Sequence, residues 1–285
     1  MALGKLDPHT GVHTTGHEWA GITELDNPIP RVVKLSYAVT FAIAVILWVL
    51  YPTWPSFTTY SQGVLSWSQQ ETLETQLTAA ANESAPWTDR IAEKDLAAIA
   101  ADKSLRAFAL QRGAQLFGDN CSVCHGQAGR GRPTFPNLAD KRWLWGGKLA
   151  DIHETLRVGI NATYEDTRTA EMPAFGRDQL LERGAINGLV TYILQLAGLD
   201  PTNVSPKDRT LFADNCASCH GVSGRGNIEF GAPNLTDKQW IYGNSRAAIY
   251  ATIFNGKRRH MPHWGDRMSP EQLKILTVYV ASLSE

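Results

Sequence analysis

The sequence has little charge imbalance and no basic tract, and this argues against one broad class of function. Its 285 residues carry a formal net charge of -1, with 27 Lys and Arg against 28 Asp and Glu. Proteins that bind nucleic acid usually concentrate positive charge on one face or in one tract. We therefore expect no nucleic-acid partner. The length leaves room for about two domains.

A second absence is local. Residues 35–51, LSYAVTFAIAVILWVLY, carry no charged side chain. A run of this length is at the lower end of what a membrane-spanning helix needs, and Trp48, Tyr51 and Trp54 gather at one end, as aromatic residues do at membrane interfaces. A buried helix is disfavoured because the run is apolar all round, and a cleaved signal peptide because the preceding region is long and acidic in places. We predict an uncleaved transmembrane anchor at residues 35–52.

The flanks of this run predict its orientation. Lys5, Arg31 and Lys34 precede it, whereas the next basic residue is Arg90. Cytoplasmic flanks carry the excess of Lys and Arg. We therefore expect a cytoplasmic tail at residues 1–34, a single pass through a bacterial inner membrane, and a periplasmic remainder. Residues 53–104 are predicted to be a periplasmic connector with weakly amphipathic helices.

Cysteine is scarce, and its placement is informative. All four cysteines lie in two pentapeptides, CSVCH at 121–125 and CASCH at 216–220. C-x-x-C-H is the attachment signature of c-type haem, in which two thiols form thioethers with one porphyrin and the following imidazole binds the iron. A redox disulfide would need a βαβ context, and a zinc site would need the two distant pairs to meet. The predicted residues for two covalently bound haem c groups are Cys121, Cys124, His125, Cys216, Cys219 and His220.

The haem motifs belong to an internal repeat. LFGDNCSVCHGQAGRG (116–131) matches LFADNCASCHGVSGRG (211–226), FPNLADKRWLWGG (135–147) matches APNLTDKQWIYGN (232–244), and MPAFG (172–176) matches MPHWG (261–265). The same order at near-equal spacing indicates one duplicated domain, and we expect each copy to close its own core. The predicted fold is mainly α: one N-terminal transmembrane helix followed by two tandem class I cytochrome c domains, at residues 105–199 and 200–285.

Helix signals support this fold class. RDQLLERGAINGLVTYILQLAG closes the first copy with an apolar stripe, and SPEQLKILTVYVASL closes the second. Ser269 is a predicted N-cap, with Pro270 at the first helical position and Gln272 completing a capping box. We expect these terminal helices to cross beside the haem of each domain.

Methionine is as scarce as cysteine. Besides Met1 the chain has only Met172, Met261 and Met268. The first two lie in Met-Pro-x-aromatic-Gly segments and are the predicted sixth iron ligands, whereas Met268 has no counterpart in the first copy and is interpreted as a packing residue. His260 and His263 flank Met261, but the first copy has no histidine at the matching positions.

A Met thioether stabilises ferrous iron and raises the reduction potential. Because protein side chains fill both iron positions, the chain is predicted to pass single electrons and to have no catalytic residue of its own. Whether it counts as an enzyme depends on its complex. Two other classes remain open: a free-standing dihaem carrier or cytochrome subunit of a dehydrogenase, and a haem enzyme such as a dihaem peroxidase, which needs a displaceable ligand.

The segment TGHEWAGITELDNPIPR (15–31), followed by one span and two haem motifs with FPNLADKRWLWGG after the first, resembles the dihaem subunit III of cbb3-type cytochrome c oxidases, the CcoP or FixP family. The resemblance implies that the chain takes electrons from a donor cytochrome c. It would relay them through the monohaem subunit II to subunit I, which reduces oxygen in aerobic respiration and pumps protons. A small membrane subunit and the lipid bilayer are further expected partners.

The resemblance also implies crossed ligation. Met261 would bind the iron of the His125 haem, and Met172 the iron of the His220 haem. Sequence spacing alone does not decide the pairing, and ligation within each domain is the physical default.

Overall fold

The computed structural model describes residues 4–285, which form two compact units divided after Glu83. The first unit begins with an antiparallel hairpin of β1 (Thr14–Trp19) and β2 (Ile22–Leu25). Ala20 and Gly21 connect the strands with positive φ angles of 50° and 87°, as a tight two-residue hairpin turn requires.

Helix α1 (Arg31–Leu50) follows the hairpin. Within the described part of the chain it is the one helix long and apolar enough to cross a membrane, and it buries none of its residues against protein. It begins at Arg31, four residues before the predicted apolar run. Arg31 and Lys34 interrupt the apolar run, but charged side chains do not end a helix. Pro30, which precedes the first helical residue, has no N–H and a fixed φ and so suits a helix start.

Helix α2 (Gln69–Glu93) confirms the prediction of helices in the segment after the span. The second unit then contains helix α3 (Leu96–Ala101), the haem motifs and the elements of the two repeats. In the first copy these are α4 (Lys103–Asn120), α5 (Ser122–His125), α6 (Leu149–Val158), β3 (Glu171–Met172) and α7 (Arg183–Leu196). In the second copy they are α8 (Pro206–Asn215), α9 (Ala217–His220), α10 (Arg246–Asn255), β4 (Lys257–Arg258) and α11 (Pro270–Ser282).

The predicted capping of α11 is confirmed. The Ser269 hydroxyl accepts a hydrogen bond from the Gln272 N–H at 3.2 Å, and the Gln272 side chain accepts one from the Ser269 N–H at 3.0 Å. Pro270 occupies the first turn, where no N–H is needed. The start of the helix is therefore fixed by local hydrogen bonds as well as by packing of its apolar face.

The prediction that each copy closes its own core is wrong. Helix α11 of the second copy packs against α4 and α6 of the first, and α7 of the first copy packs against α8 and α10 of the second. One core consists mainly of Phe117, Ile152, Leu156, Trp264, Leu273 and Leu276, and the other of Phe175, Ile186, Leu189, Phe212, Leu235 and Ile249. The short connection after α7 favours this pairing, because helices joined by few residues tend to be neighbours in space.

Glycine allows these exchanged helices to approach closely. A Cβ on Gly113 of α4 would collide with the Tyr279 side chain of α11, and a Cβ on Gly188 of α7 would collide with the Asp208 carboxyl group of α8. Each helix crossing thus contains one residue without a side chain. A third buried cluster, which includes Ile91 and Ile99, joins the end of α2 and helix α3 to α11.

Candidate functional site

The two haem motifs adopt the same local structure. Helices α4 and α8 end at the first cysteine of each motif, and the second cysteine and the histidine lie on the short helices α5 and α9. None of the four cysteines forms a disulfide. Burial raises the pKa of Cys121 and of Cys216 to about 11, and the neighbouring cysteine of each motif adds to the effect. Because none forms a disulfide, all four thiols are available for attachment to porphyrin.

Each motif histidine is held by a backbone carbonyl. The Nδ1–H of His125 donates to the carbonyl oxygen of Pro136 at 3.2 Å, and that of His220 donates to the carbonyl oxygen of Pro233 at 3.0 Å. This hydrogen bond fixes the ring and leaves Nε2 available to a metal. Burial lowers the pKa of both imidazoles, against the opposing effect of the hydrogen bond. Both rings are therefore favoured in the neutral form that binds iron.

A glycine-dependent turn brings the proline to the histidine. The N–H of Gly131 donates to the His125 carbonyl at 2.7 Å, and the N–H of Gly226 donates to the His220 carbonyl at 2.8 Å. A Cβ on Gly226 would lie 2.6 Å from the Ala232 carbonyl oxygen, and Gly226 has a φ of 84°. Only glycine combines this backbone angle with such a close approach. The role of the two prolines was missed from sequence, although the repeated Pro-Asn-Leu was its signal.

The two Met-Pro-x-aromatic-Gly loops each bind the other copy. The N–H of Phe175 donates to the Ile253 carbonyl of α10 at 3.1 Å, and the N–H of Trp264 donates to the Leu156 carbonyl of α6 at 2.9 Å. The contacts are equivalent, because Leu156 and Ile253 both lie three residues before the glycine that ends their helix. The loops therefore exchange places together with helices α7 and α11.

The methionines follow their loops. Met172 packs against the core cluster that Cys216 also joins, and Met261 packs against the cluster that contains Cys121. Met268 is 9% exposed and belongs to the Cys121 cluster as well, consistent with the packing role expected for it. The side chain of His260 is exposed, and the ring of His263 packs on Tyr164 with the centroids 5.0 Å apart.

The methionine loops are also joined to each other. Strand β3 pairs with β4, with Met172 opposite Lys257, and Ile160 and Met261 exchange two backbone hydrogen bonds of 2.9 Å. Asn161 connects both loops: its Nδ2 donates to the carbonyl oxygens of Ala170 at 2.8 Å and Arg259 at 2.6 Å, and its Oδ1 accepts from the Ala170 N–H at 3.1 Å.

Asn161 begins a stretch that only the first copy has. Thirteen positions separate Gly159 from Met172, whereas five separate the equivalent Gly256 from Met261. The insertion was not predicted, because the repeated motifs alone suggest near-equal spacing between the haem motif and the methionine. The hydroxyl oxygen of its Tyr164 accepts a hydrogen bond from the Arg157 guanidinium at 3.1 Å, and the Tyr164 ring contacts His263, so the inserted stretch covers the Met261 loop.

The buried polar atoms also fit a haem group. The indole Nε1 of Trp240 and the guanidinium Nε of Arg168 are buried and have no hydrogen-bond partner within residues 4–285. Buried donors of this kind are normally paired, and haem propionates are carboxylates that could accept from them. In the same range no cluster of three or more His, Cys, Asp and Glu side chains could hold a metal ion directly. Iron bound through porphyrin therefore suits these residues better than a bare ion.

Three known families match parts of the chain. Residues 11–58 match the N-terminal domain of cytochrome oxidase-cbb3, FixP; residues 110–197 match cytochrome c; and residues 207–280 match cytochrome c oxidase, cbb3-type, subunit III. The matches confirm a mainly helical chain with two cytochrome c domains after one apolar helix. Because cytochrome c domains of this kind bind haem covalently, the chain carries two covalently bound haem c groups.

Full-length relatives give the same result. The chain is 40% identical to the cbb3-type cytochrome c oxidase subunit CcoP of Azospirillum sp. (strain B510), over 99% of each protein. It is 41% identical to the subunit FixP of Azorhizobium caulinodans over 98% of this chain and 95% of the relative. It is also 40% identical to the CcoP subunit of Cereibacter sphaeroides, over 95% and 94%. The apolar helix α1 and this relationship indicate a membrane-anchored protein, and the chain belongs to the CcoP/FixP family of cbb3-type cytochrome c oxidase subunits.

Proposed function

We propose that this chain is the dihaem electron-transfer subunit of a cbb3-type oxidase, accepting electrons from a donor cytochrome c and relaying them toward the oxygen-reducing core. The observation that carries this proposal is the equivalence of the two sites. Each has a histidine fixed through Nδ1 and a methionine packed near the motif cysteines. Haem iron bound at such a site supplies reversible one-electron chemistry. A pair of such sites in one compact unit suits electron relay.

The iron ligands in this proposal are crossed. Met261 serves the site of His125, and Met172 serves the site of His220. The packing of Met261 in the Cys121 cluster and of Met172 against the cluster joined by Cys216 supports this pairing. The backbone bonds from Trp264 to α6 and from Phe175 to α10 support it as well. Ligation within each copy would require both loops to leave these positions.

The side chains have distinct tasks. Cys121, Cys124, Cys216 and Cys219 attach the porphyrins, and His125 and His220 bind iron through Nε2 while Pro136 and Pro233 hold their rings. Arg168 and Trp240 offer buried donors to propionates. With one histidine and one methionine as ligands, each haem iron would have no vacant position for oxygen or peroxide. This arrangement disfavours a haem enzyme and favours electron transfer.

The proposed partners follow from the relatives, which are oxidase subunits by name. We assign this chain to a complex with the oxygen-reducing subunit I, the monohaem subunit II and a small membrane subunit. Lys5, Arg31 and Lys34 before the span favour a cytoplasmic N-terminus and periplasmic haem sites. A reporter that works only in the periplasm should be active when fused after Asn82 and inactive when fused after Pro8; the reverse would contradict this orientation.

The proposed domain boundaries are those predicted from the sequence. They give a tail at 1–34, an anchor at 35–52, a connector at 53–104, and cytochrome c repeats at 105–199 and 200–285. The burial of Ile91 and Ile99 in the cluster that contains Ile275 ties the end of the connector to the haem region. The repeats are accordingly units of sequence, whereas each core draws on both.

A purification experiment tests the function. A tagged chain, solubilised in detergent, should bring with it a copper- and haem-containing core and oxidise reduced cytochrome c while consuming oxygen. His125→Ala and His220→Ala should each lower the turnover of the assembled complex at least tenfold, whereas His9→Ala, in the tail, should leave it unchanged. A chain that purifies as a free dihaem protein, or a complex whose turnover survives both substitutions, would contradict the proposal.

A further inference from the structure

The segment between the span and α2 has an unusual composition. Residues 51–68, here called the aromatic loop, contain no charged side chain, and the uncharged stretch runs from residue 35 to residue 70. Of the whole chain, 19% is charged. A loop in water normally carries some charged residues, whereas this one has none and contains the aromatic residues Tyr51, Trp54, Phe57, Tyr60 and Trp67.

The aromatic loop folds back onto the end of the span. The N–H groups of Val64 and Leu65 donate to the carbonyl oxygens of Val49 and Leu50 at 2.9 and 3.1 Å. Gly63 makes this return possible, because a Cβ there would lie 2.5 Å from the Leu50 carbonyl oxygen. The last carbonyls of a helix have no partner within the helix. The aromatic loop supplies partners for the last two carbonyls of α1.

The loop also pairs its own backbone groups. The Ser61 N–H donates to the Trp54 carbonyl at 2.9 Å, and the Ser61 hydroxyl accepts from the Trp54 N–H at 3.1 Å. The Ser56 N–H donates to the Thr59 carbonyl at 2.6 Å. Unpaired backbone groups are costly where water is scarce. Internal pairing of this kind removes that cost from an irregular segment.

Three of the apolar side chains in the loop are largely exposed. Phe57 is fully exposed, Val64 is 72% exposed and Tyr60 is 61% exposed. Trp54 contacts Trp48 of the span with ring centroids 5.1 Å apart, so the exposed surface of the loop is continuous with the exposed surface of the helix. Aromatic residues with one polar edge favour the headgroup layer of a bilayer.

We infer that the aromatic loop lies in the lipid headgroup layer at the C-terminal end of α1. Lipid is favoured over a protein partner because the uncharged surface continues that of the membrane span and carries aromatic residues at the level where the span ends. In this position the loop fixes the depth of the span and the point at which α2 leaves the membrane. The inference requires the membrane anchor but no particular haem ligation, electron donor or subunit partner.

Spin labels in the assembled, haem-loaded complex test the inference. Phe57→Cys and Val64→Cys are labelled separately in nanodiscs of phosphatidylcholine and phosphatidylglycerol, with the unsubstituted chain as background. Ile43→Cys marks the depth of the span, and Lys207→Cys marks an exposed position in the haem region. Collision rates are measured with oxygen, which concentrates in lipid, and with a water-soluble nickel chelate.

Both loop labels should collide with the nickel chelate several-fold less often than the label at residue 207. They should collide with oxygen readily, at a depth shallower than residue 43. Frequent nickel collisions at both loop positions would place the loop in water and overturn the inference. Shielding of both positions from both reagents would overturn it too, because the loop would then lie against another subunit.

Discussion

At the scale of single residues, backbone carbonyl groups hold the two motif histidines in place. His125 and His220 are equivalent not only in sequence but in the carbonyl that each Nδ1–H meets. Those carbonyls belong to prolines, which have no N–H of their own and a fixed φ. Main-chain atoms therefore set the orientation of each imidazole ring, without a hydrogen bond from a neighbouring side chain among the described residues.

The methionines give the first prediction. In the oxidised chain, thioether ligation of low-spin haem produces a weak absorption band in the near red. Met172→His and Met261→His should each remove about half of this band and lower one reduction potential, because imidazole stabilises ferric iron better than sulfur does. The measurement is a redox titration followed by absorption spectroscopy.

Met268→Leu is the matched control for this series. Met268 lies in the same cluster as Met261 but packs as a core residue, and a Leu of similar volume should cost less than about 1.5 kcal/mol of stability. The near-red band should stay whole. Loss of half the band in Met268→Leu would mean that Met268, and not Met261, is the ligand in the second repeat.

At the scale of elements, the loop junction gives the second prediction. Asn161 has a φ of 48° and connects the Ala170 and Arg259 backbones by three hydrogen bonds. Asn161→Gly keeps the backbone angle and removes these bonds, so it should lower the free energy of unfolding by roughly 2–4 kcal/mol. Asn161→Ala should lower it by about 1 kcal/mol more, because alanine is strained at positive φ.

Chemical denaturation measures both Asn161 variants, with Asn187→Ala as control. Asn187 donates to the Arg183 carbonyl on the exposed face of α7, and its loss should cost less than about 0.5 kcal/mol. Because Asn161 holds both methionine loops, its variants should shift the potentials of both haems. A shift confined to one haem would show that the loops are independent.

A third prediction concerns the end of α2. The Lys274 ammonium on α11 donates to the carbonyl oxygens of Ile91, Ala92 and Lys94 at 3.0, 2.8 and 2.8 Å. These are groups that a helix end leaves unpaired, and positive charge is favourable there. Lys274→Met keeps the aliphatic stem and should cost about 1–2 kcal/mol.

The same variant should speed amide hydrogen exchange in residues 91–94, the end of α2 and Lys94, whose N–H donates to the Ile91 carbonyl, whereas Lys141→Met, at an exposed position, should not. Unchanged exchange in Lys274→Met would mean that these carbonyls are satisfied without the ammonium group. The comparison separates a specific helix-end contact from a general effect of removing surface charge.

Some features of these secondary-structure elements could be predicted from the sequence, and others could not. The motif residues were predictable because C-x-x-C-H specifies its own chemistry, and α11 was predictable from Ser269, Pro270 and Gln272. Helix partners were not predictable. The stripe of Leu189, Val190 and Ile193 on α7 reveals an apolar face, but a similar stripe on α11 would fit the same partner, so periodicity cannot choose between them.

At the scale of the whole molecule, the exchange of helices makes the two repeats interdependent. Phe117 of the first repeat and Leu276 of the second belong to one core, and Phe212 and Leu189 belong to the other. Duplication therefore built two sites without building two separable domains. Both methionine loops meet at one junction, where β3 pairs with β4.

Cutting the connection between the repeats tests this interdependence. A protease site inserted between Thr202 and Asn203 lies in an exposed stretch between α7 and α8. After complete cleavage, the haem-loaded halves should migrate together in detergent and keep the whole near-red band, because each core needs both. Two separate halves, each with one haem and its own thioether band, would contradict the exchanged fold.

The most direct measurement of crossed ligation uses a chain with one haem. Cys216→Ala with Cys219→Ala leaves only the haem of His125, whose near-red band serves as the reference. In this background Met261→His should abolish the band, whereas Met172→His should leave it intact, because Met261 packs in the Cys121 cluster and Met172 does not. Loss of the band in Met172→His and its survival in Met261→His would contradict the account.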